Sequence, residues 1–215
     1  MFTMIDHLGA ALVGTVALVT VLAVSIRGRE SAVETVVSHA TQMRAQEFMR
    51  VIERDVENMR TEGEALAAVG TYACGITRDG AGRLESFTFP TLLDPASGAA
   101  SPIGHVTYRS QPTGDSVSVD GQLRPLYRVV REEDDGSGAV ESGGSGDVVV
   151  GIDVGLFASR SAMPSVTCPD DLSRVRLDFL TAIAGPARHV DGSTTTGPYN
   201  LARHGYTFRP PARGR

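Results

Sequence analysis

The first part of the chain is apolar on all sides and then becomes amphipathic. Residues 8–26 read LGAALVGTVALVTVLAVSI and contain no charged side chain. A helix of that length is about long enough to cross the hydrocarbon core of a bilayer. The pattern therefore predicts a transmembrane helix over residues 1–27.

From residue 27 to about residue 69 the apolar residues recur at steps of three and four, with charged residues between them. These apolar positions are Val33, Val36, Val37, Ala40, Met43, Val51, Ile52, Val56 and Met59. Such spacing is typical of a helix with one apolar face. No proline occurs before Pro90, so we expect one continuous helix from near Phe2 to the mid-sixties, with residues 28–69 as its amphipathic part.

After Gly70 the sequence favours β structure. Short segments rich in β-branched or aromatic residues are bounded by clusters of Gly, Pro, Asp and Ser. The predicted strands are residues 83–89, 105–109, 116–119, 126–131, 147–154, 175–180 and 206–209. Residues 174–179 alternate strictly between polar and apolar, which indicates a sheet with one face in water.

Two polar segments of this part are predicted to lack regular structure. Residues 132–146 read EEDDGSGAVESGGSG, which predicts a flexible acidic loop. Residues 210–215 are predicted to be a flexible tail. The expected fold class is α+β, with the long N-terminal helix packed on an antiparallel β-sheet domain over residues 70–209.

A cleaved secretory signal peptide is the competing interpretation of the apolar stretch. Such a peptide begins with basic residues, whereas Asp6 precedes this stretch; Ala-Val-Ser at 23–25 nevertheless fits a cleavage site. Arg27 and Arg29 favour a cytoplasmic C-terminal side by the positive-inside rule, but Glu30 partly offsets them. We expect the body of the protein to be extracytoplasmic.

Composition argues against two classes of function. All 20 basic residues are arginine and the net charge is −5. Without a basic stripe we expect no nucleic-acid partner. The histidines lack two-histidine metal spacing, and neither a G-x-S-x-G elbow nor a phosphate loop occurs. We therefore expect neither catalysis nor a bound cofactor.

Two groups of residues each have two interpretations. Cys74 and Cys168 fit a single disulfide in an extracytoplasmic body, or two unrelated buried thiols. Glu133, Asp134 and Asp135 supply the clustered oxygens that calcium binds, but the EF-hand spacing is absent. A solvated acidic loop is the favoured interpretation of these three carboxylates.

The N-terminus resembles that of the type IV pilins and type II secretion pseudopilins. Residues 2–6 read Phe-Thr-Met-Ile-Asp directly before the apolar helix, where family members typically have Phe-Thr-Leu-Ile-Glu. The segments 106–109 with 126–128, 175–180 and 206–210 are similar to the strands of the larger minor members. The resemblance implies a minor pilin or minor pseudopilin that assembles through its N-terminal helix into a pilus or pseudopilus.

The resemblance also implies roles for individual residues. Phe2 would be the methylated first residue after removal of a basic leader, and Asp6 would pair with the free amine of a neighbouring subunit. Here Met1 precedes Phe2, so either the natural start lies upstream or the chain is not processed. A solvated Asp6 at the membrane interface is the other interpretation. Small residues on the helix that permit close helix approach are Gly9, Ala10, Gly14 and Ala17.

The implied partners are other pilin-like subunits, the inner membrane and the envelope assembly machinery. The implied location is the inner membrane, and after assembly a filament in the periplasm or at the cell surface. Three alternatives stay open: an anchored extracytoplasmic binding domain that does not polymerise, a secreted protein with a cleaved signal, and an anchored hydrolase.

Overall fold

The computed structural model describes residues 2–119, 122–145, 149–159, 161, 163–184 and 199–211. It consists of a long helix α1 (Phe2–Glu57), a short helix α2 (Glu62–Val69) and an antiparallel sheet of eight strands. The strands are β1 (Gly75–Arg78), β2 (Leu84–Leu92), β3 (Ile103–Val119), β4 (Gln122–Asp134), β5 (Val140–Gly144), β6 (Val149–Ala158), β7 (Leu172–Ala184) and β8 (Tyr199–Phe208). The predicted α+β class with an antiparallel sheet is confirmed.

Helix α1 spans 56 residues, which corresponds to about 84 Å at 1.5 Å per residue. Its last turns lie on the sheet and contact β2, β7 and β8. The buried side chains of this contact are Ala45, Phe48, Met49, Ile52 and Val56. Upstream of Ala45 the described apolar positions Val33, Val36 and Met43 are exposed. The sheet therefore covers the apolar stripe only from Ala45 onward, and not over the whole predicted amphipathic part.

The helix ends at Glu57, so the predicted continuous helix to the mid-sixties is wrong. After Glu57 the chain pairs with the end of β2, and the Arg60 N–H donates to the Pro90 carbonyl at 2.9 Å. A new helix then starts at a capping box, in which the side chains of Thr61 and Glu64 each accept a hydrogen bond from the other's backbone N–H. The N–H of Arg60 is thus satisfied by the sheet and the N–H of Thr61 by the cap.

The strand order is β1-β2-β3-β4-β6-β7-β8, with β5 paired to β4. The predicted segments 105–109 and 116–119 belong to one strand, β3, which contains an irregularity between Pro112 and Ser116. The predicted segment 126–131 lies in β4, which pairs antiparallel with β3. Strands β1 and β5 were not predicted.

The predicted acidic loop 132–146 is largely strand. Strand β4 continues to Asp134, and β5 pairs with it through Glu132↔Glu141 and Glu133↔Val140. The last two residues of β5, Gly143 and Gly144, have positive φ and follow the edge of β4. Residues 212–215 of the predicted tail lie outside the described residues.

The sheet curves so that β1 returns towards β6. The segment 165–167 lies between these strands, with isolated bridges Gly75↔Thr167 and Leu156↔Ser165. Helix α1 packs on the concave face, and the aromatic rings of the core cluster around Phe48, whose ring meets those of Tyr108 and Phe179 edge-on. The other large fully buried side chains include Phe87, Phe89, Ile52, Leu156 and Leu177.

Candidate functional site

The N-terminal half of α1 presents apolar side chains that nothing in the described chain covers. Its large apolar residues from Leu12 to Ile26 are each between 53% and 69% exposed. The stretch Ala11–Val33 is long and apolar enough to span a membrane, and no part of its most apolar window is buried against described residues. One helix of this chain therefore has the length and composition of a single-pass anchor.

The two threonine side chains within this apolar stretch are bonded to the helix itself. The hydroxyls of Thr15 and Thr20 donate to the carbonyls of Ala11 and Val16, each at 2.8 Å. Threonine hydroxyls bonded in this way need no water, which suits a helix surrounded by hydrocarbon. A Cβ added at Gly14 would meet no atom within 4 Å, so the backbone is open to a neighbouring helix at that point.

The residues to which the resemblance assigns processing and assembly roles lie at the start of this helix. The backbone of Phe2 and Asp6 is helical, but their side chains lie outside the described residues. Met1 lies outside them as well. The roles of Phe2 and Asp6 stay predictions.

A buried ionic cluster fixes the other half of α1 to the sheet. The carboxylate of Asp55, which has no exposed surface, accepts from the Tyr108 hydroxyl at 2.6 Å and from Arg131 Nε at 2.7 Å. Arg54 donates to its other oxygen at 3.0 Å, and the Thr91 hydroxyl donates to the Asp55 backbone carbonyl at 2.8 Å. One residue of α1 is thereby bonded to β2, β3 and β4.

The cluster continues from Arg131 into the strand pair β4–β5. Arg131 Nη1 donates to Glu133 and, at 2.6 Å, to the Ser142 hydroxyl. Burial lowers the pKa of Arg131, but its hydrogen bonds to Asp55 and Glu133 outweigh this, so the pKa lies above its ordinary value. Burial first, and then the neighbouring Asp55 carboxylate, raise the pKa of Tyr108. At neutral pH Tyr108 is a neutral donor and Arg131 a cation.

Sequence reasoning missed this cluster, although one signal was present. Asp55 lies three residues after Ile52 and four before Met59, which places it on the apolar stripe rather than on the charged face. A carboxylate at such a position needs a buried cationic or hydroxyl partner. The partners Tyr108 and Arg131 are 53 and 76 residues away in sequence, and only the fold brings them together.

Cys74 and Cys168 form a disulfide, with their Cα atoms 5.4 Å apart. The bond joins the residue before β1 to the segment that leads into β7, next to the Gly75↔Thr167 bridge. It closes a loop of 94 residues, for which the chain-entropy model gives a stabilisation of about 4–5 kcal/mol. Both cysteines pack against the core. The disulfide therefore fixes the segment before β7 to the start of β1.

The three carboxylates considered for calcium point to different partners. Glu133 pairs with Arg131. Asp134 accepts from the backbone N–H groups of Gly136 and Gly138, and Asp135 accepts from Ser137. Within the described part of the chain, no group of three or more His, Cys, Asp or Glu is arranged to hold a metal ion.

Two of the described histidines, His105 and His204, make contacts with other segments of the sheet domain. His105 Nε2 accepts from the Ala73 backbone N–H at 3.1 Å. The His204 ring stacks on Phe179 at 4.8 Å between centroids and lies 3.2 Å from the Thr181 hydroxyl. These contacts tie both rings into the sheet.

Neither protein-family models nor curated proteins nor solved structures match this chain. Two features of its own geometry bear on its function. The first is the uncovered apolar half of α1. The second is the ionic cluster that fixes the other half of the same helix inside the sheet domain.

Proposed function

We propose that this chain is a membrane-anchored, pilin-like structural subunit, a minor pilin or minor pseudopilin that assembles through its N-terminal helix. The observation that carries the proposal is the division of one helix into two surfaces. Over residues 11–29 every described side chain of α1 is exposed, and from Ala45 the same helix forms part of the core. Such a helix needs one partner outside its own chain and one within it.

The exposed half of α1 is too apolar to be left in water. Monomeric soluble proteins rarely expose contiguous apolar patches larger than a few hundred Å². Lipid covers this surface in an anchored subunit, and the apolar helices of other subunits cover it in a filament core. Small residues such as Gly14 and Ala17, both exposed, allow close contact between helices.

The half of α1 that packs on the sheet domain supports a mechanical role. Helix α1 is continuous from Phe2 to Glu57, so no loop separates the apolar half from the sheet. The ion pair between Asp55 Oδ2 and Arg131 Nε, which are 2.7 Å apart, fixes that helix to the domain. A displacement of the apolar half is therefore transmitted to the sheet domain as a rigid lever, as a filament subunit requires.

The proposed surroundings follow from the same features. The apolar half sits in the inner membrane before assembly, and the sheet domain is extracytoplasmic, where the Cys74–Cys168 disulfide is stable. The partners are other pilin-like subunits and the envelope assembly machinery.

The test is mass spectrometry of the N-terminal peptide of the native protein, taken from membranes and from sheared surface material. A chain that begins at N-methylated Phe2 and occurs in the sheared fraction supports the proposal. Asp6→Ala is then expected to remove the chain from that fraction, whereas the conservative Asp6→Glu is expected to retain it.

A chain that still begins at Met1 and occurs only in membranes would exclude the pilin-like function. The remaining function would be a single-pass anchored binding domain that does not polymerise. A groove at the edge of β6 favours a binding role for the sheet domain in either case.

A further inference from the structure

Among the described residues, strand β6 has no neighbouring strand along most of one edge. On that edge it pairs with β4 only at Tyr127↔Val149 and meets the segment 165–167 again at Leu156↔Ser165. Between these points, residues 150–155 have β7 on one side and no strand of the described chain on the other. Arg78 bonds the Val154 carbonyl from this side, so the open part of the edge is residues 150–153. At about 3.4 Å per residue it is roughly 14 Å long, which is room for about four residues of an added strand.

A proline explains why β4 leaves β6 so early. In the antiparallel register set by Tyr127↔Val149, the next residue of β4 to face β6 is Pro125, opposite Gly151. Proline has no N–H to donate to the ladder. The register of β6 also shifts between Val149 and Gly151, so the two strands separate at this point.

The backbone of β6 directs polar groups into the gap. The Leu156 carbonyl accepts from the Ser165 N–H at 2.7 Å, and the Val154 carbonyl accepts from Arg78 Nη2 at 3.1 Å. Because alternate residues of a strand face the same edge, the N–H and C=O of Ile152 face this edge too. No strand of the described chain pairs with Ile152 on this edge. A strand edge of this kind is a template for an additional strand.

The gap opens into a groove of about 520 Å³, within the range of ligand clefts. We call it the β6 edge groove: it is bounded by residues 150–153 of β6, by Tyr127 of β4, by Ser110 and Pro112 of β3, and by residues 78–85 of the β1–β2 hairpin. Backbone of β6 and side chains of the hairpin thus line opposite sides of the groove.

Some of the charged side chains around the groove are paired with each other and one is not. Arg78 pairs with Asp153 at 2.5 Å and Arg83 with Asp79 at 2.7 Å, so both arginines are neutralised. Glu85 also lines the groove and has no ion pair or hydrogen bond among the described residues. A bound segment therefore meets one uncompensated negative charge.

We propose that the β6 edge groove binds an extended peptide segment of a partner protein, which adds to β6 as a strand and places an arginine or lysine beside Glu85. Main-chain hydrogen bonds to Ile152 supply affinity, and the contact with Glu85 supplies a preference in sequence. This binding does not depend on polymerisation of the chain, because the groove lies wholly within the sheet domain.

The probe is a synthetic pool of acetylated, amidated hexapeptides presented to the full chain in detergent micelles. Retained sequences are expected to contain a basic residue at one position. Each is then resynthesised in two forms, N-methylated at odd or at even positions. One form is expected to lose binding and the other to keep it, because only alternate N–H groups of an added strand face β6.

Matched variants locate the site. A Cβ at Gly151 meets no atom within 4 Å, and Gly151 lines the groove, so the ring of Gly151→Trp is expected to fill the groove and abolish binding. Gly63→Trp, at an equally open position on α2, is the control and is expected to bind normally. Glu85→Gln is expected to weaken basic peptides by about two- to five-fold, as an exposed ion pair does. Equal unfolding temperatures for both tryptophan variants exclude misfolding as the cause.

Bound peptide is also expected to slow hydrogen exchange at the Ile152 amide. The proposal is overturned if no hexapeptide binds the parent chain better than Gly151→Trp, if both N-methylated forms bind equally, or if the Ile152 amide is already protected without peptide. None of these results bears on the N-terminal processing test, so the two proposals fail separately.

Discussion

Asp55 is a charged residue at a position where the helix pattern calls for an apolar one. Removing a carboxylate and a guanidinium from water is costly, and a buried ion pair often contributes little net stability over a well-packed apolar pair. Asp55 instead specifies how the helix sits on the sheet, because its hydrogen bonds to Tyr108 and Arg131 form in only one rotation and register of α1. The register of the helix is thus specified by one side chain.

Replacing Asp55 by Asn is expected to destabilise the domain by about 3–5 kcal/mol, because it leaves the Arg131 charge buried with less compensation. The matched control is Glu53→Gln, which neutralises an exposed carboxylate two residues earlier in α1 and is expected to change stability by less than about 0.5 kcal/mol. Urea unfolding followed by circular dichroism measures both. Equal unfolding midpoints would show that the cluster does not hold the helix.

His105 makes the domain sensitive to mild acid. Burial lowers its pKa, although Asp134 acts in the opposite direction. The unfolded chain therefore binds the proton more readily than the folded one. The corresponding stability is fully present above the unfolded pKa of about 6.5 and is lost as the pH falls from there through the folded pKa. Burial also lowers the pKa of His204, which adds to the same trend.

Lowering the pH from 7.5 to 5 is therefore expected to reduce the free energy of unfolding and to speed hydrogen exchange at Ala73. Protonated His105 can no longer accept the Ala73 N–H, 3.1 Å from its Nε2. In His105→Gln, a smaller pH dependence of unfolding is expected, with the remainder due to His204. An unchanged slope in that variant would assign the acid sensitivity elsewhere.

At the scale of elements, helix α2 depends on its N-terminal cap. Thr61→Ala removes one half of the capping box with Glu64 and is expected to cost about 1 kcal/mol. Thr71→Ala, at an exposed threonine just after α2, is the control. Thermal unfolding of the two variants compares them, and faster exchange of the α2 amides in Thr61→Ala alone would locate the effect. Identical behaviour of both variants would contradict it.

The break between α1 and α2 was readable in part from the sequence. Thr61-Glu62-Gly63-Glu64 is a capping box, but the apolar spacing around it continues and suggests a single helix. What ends α1 is the pairing of residues 58–60 with β2, including Arg60 with Pro90. A contact between segments 30 residues apart has no local signature.

The sheet shows the same division between local and non-local information. Alternation predicted part of β7, and β-branched clusters predicted parts of β2, β3, β4 and β6. Strand β5 reads Val-Glu-Ser-Gly-Gly and is exposed throughout, so it has no apolar pattern and exists because β4 offers it an edge. Only part of the ionic cluster could be predicted from the sequence. Asp55 lies on the apolar stripe of the helix, but Arg131 becomes its partner only through the register of β3 and β4.

At the scale of the whole molecule, the two halves of α1 have different surroundings: the first is exposed and the second is packed in the sheet domain. The first described side chain buried by the domain is Ala45, and those of residues 11–29 are all exposed. The apolar half therefore adds nothing to the folding of the sheet domain through described contacts. Solubility and folding are expected to be separable by truncation.

Deleting residues 1–28 is expected to give a domain that is soluble without detergent and unfolds at about the temperature of the full chain in micelles, because no described core contact is lost. Deleting residues 1–48 also removes Ala45 and Phe48, whose ring contacts Tyr108 and Phe179. Loss of one buried phenylalanine costs about 3–5 kcal/mol, so this shorter chain is expected to unfold at a much lower temperature. Calorimetry of both fragments gives the comparison. If the first deletion were as damaging as the second, the apolar half would have to pack on its own domain, and the argument for an outside partner would fail.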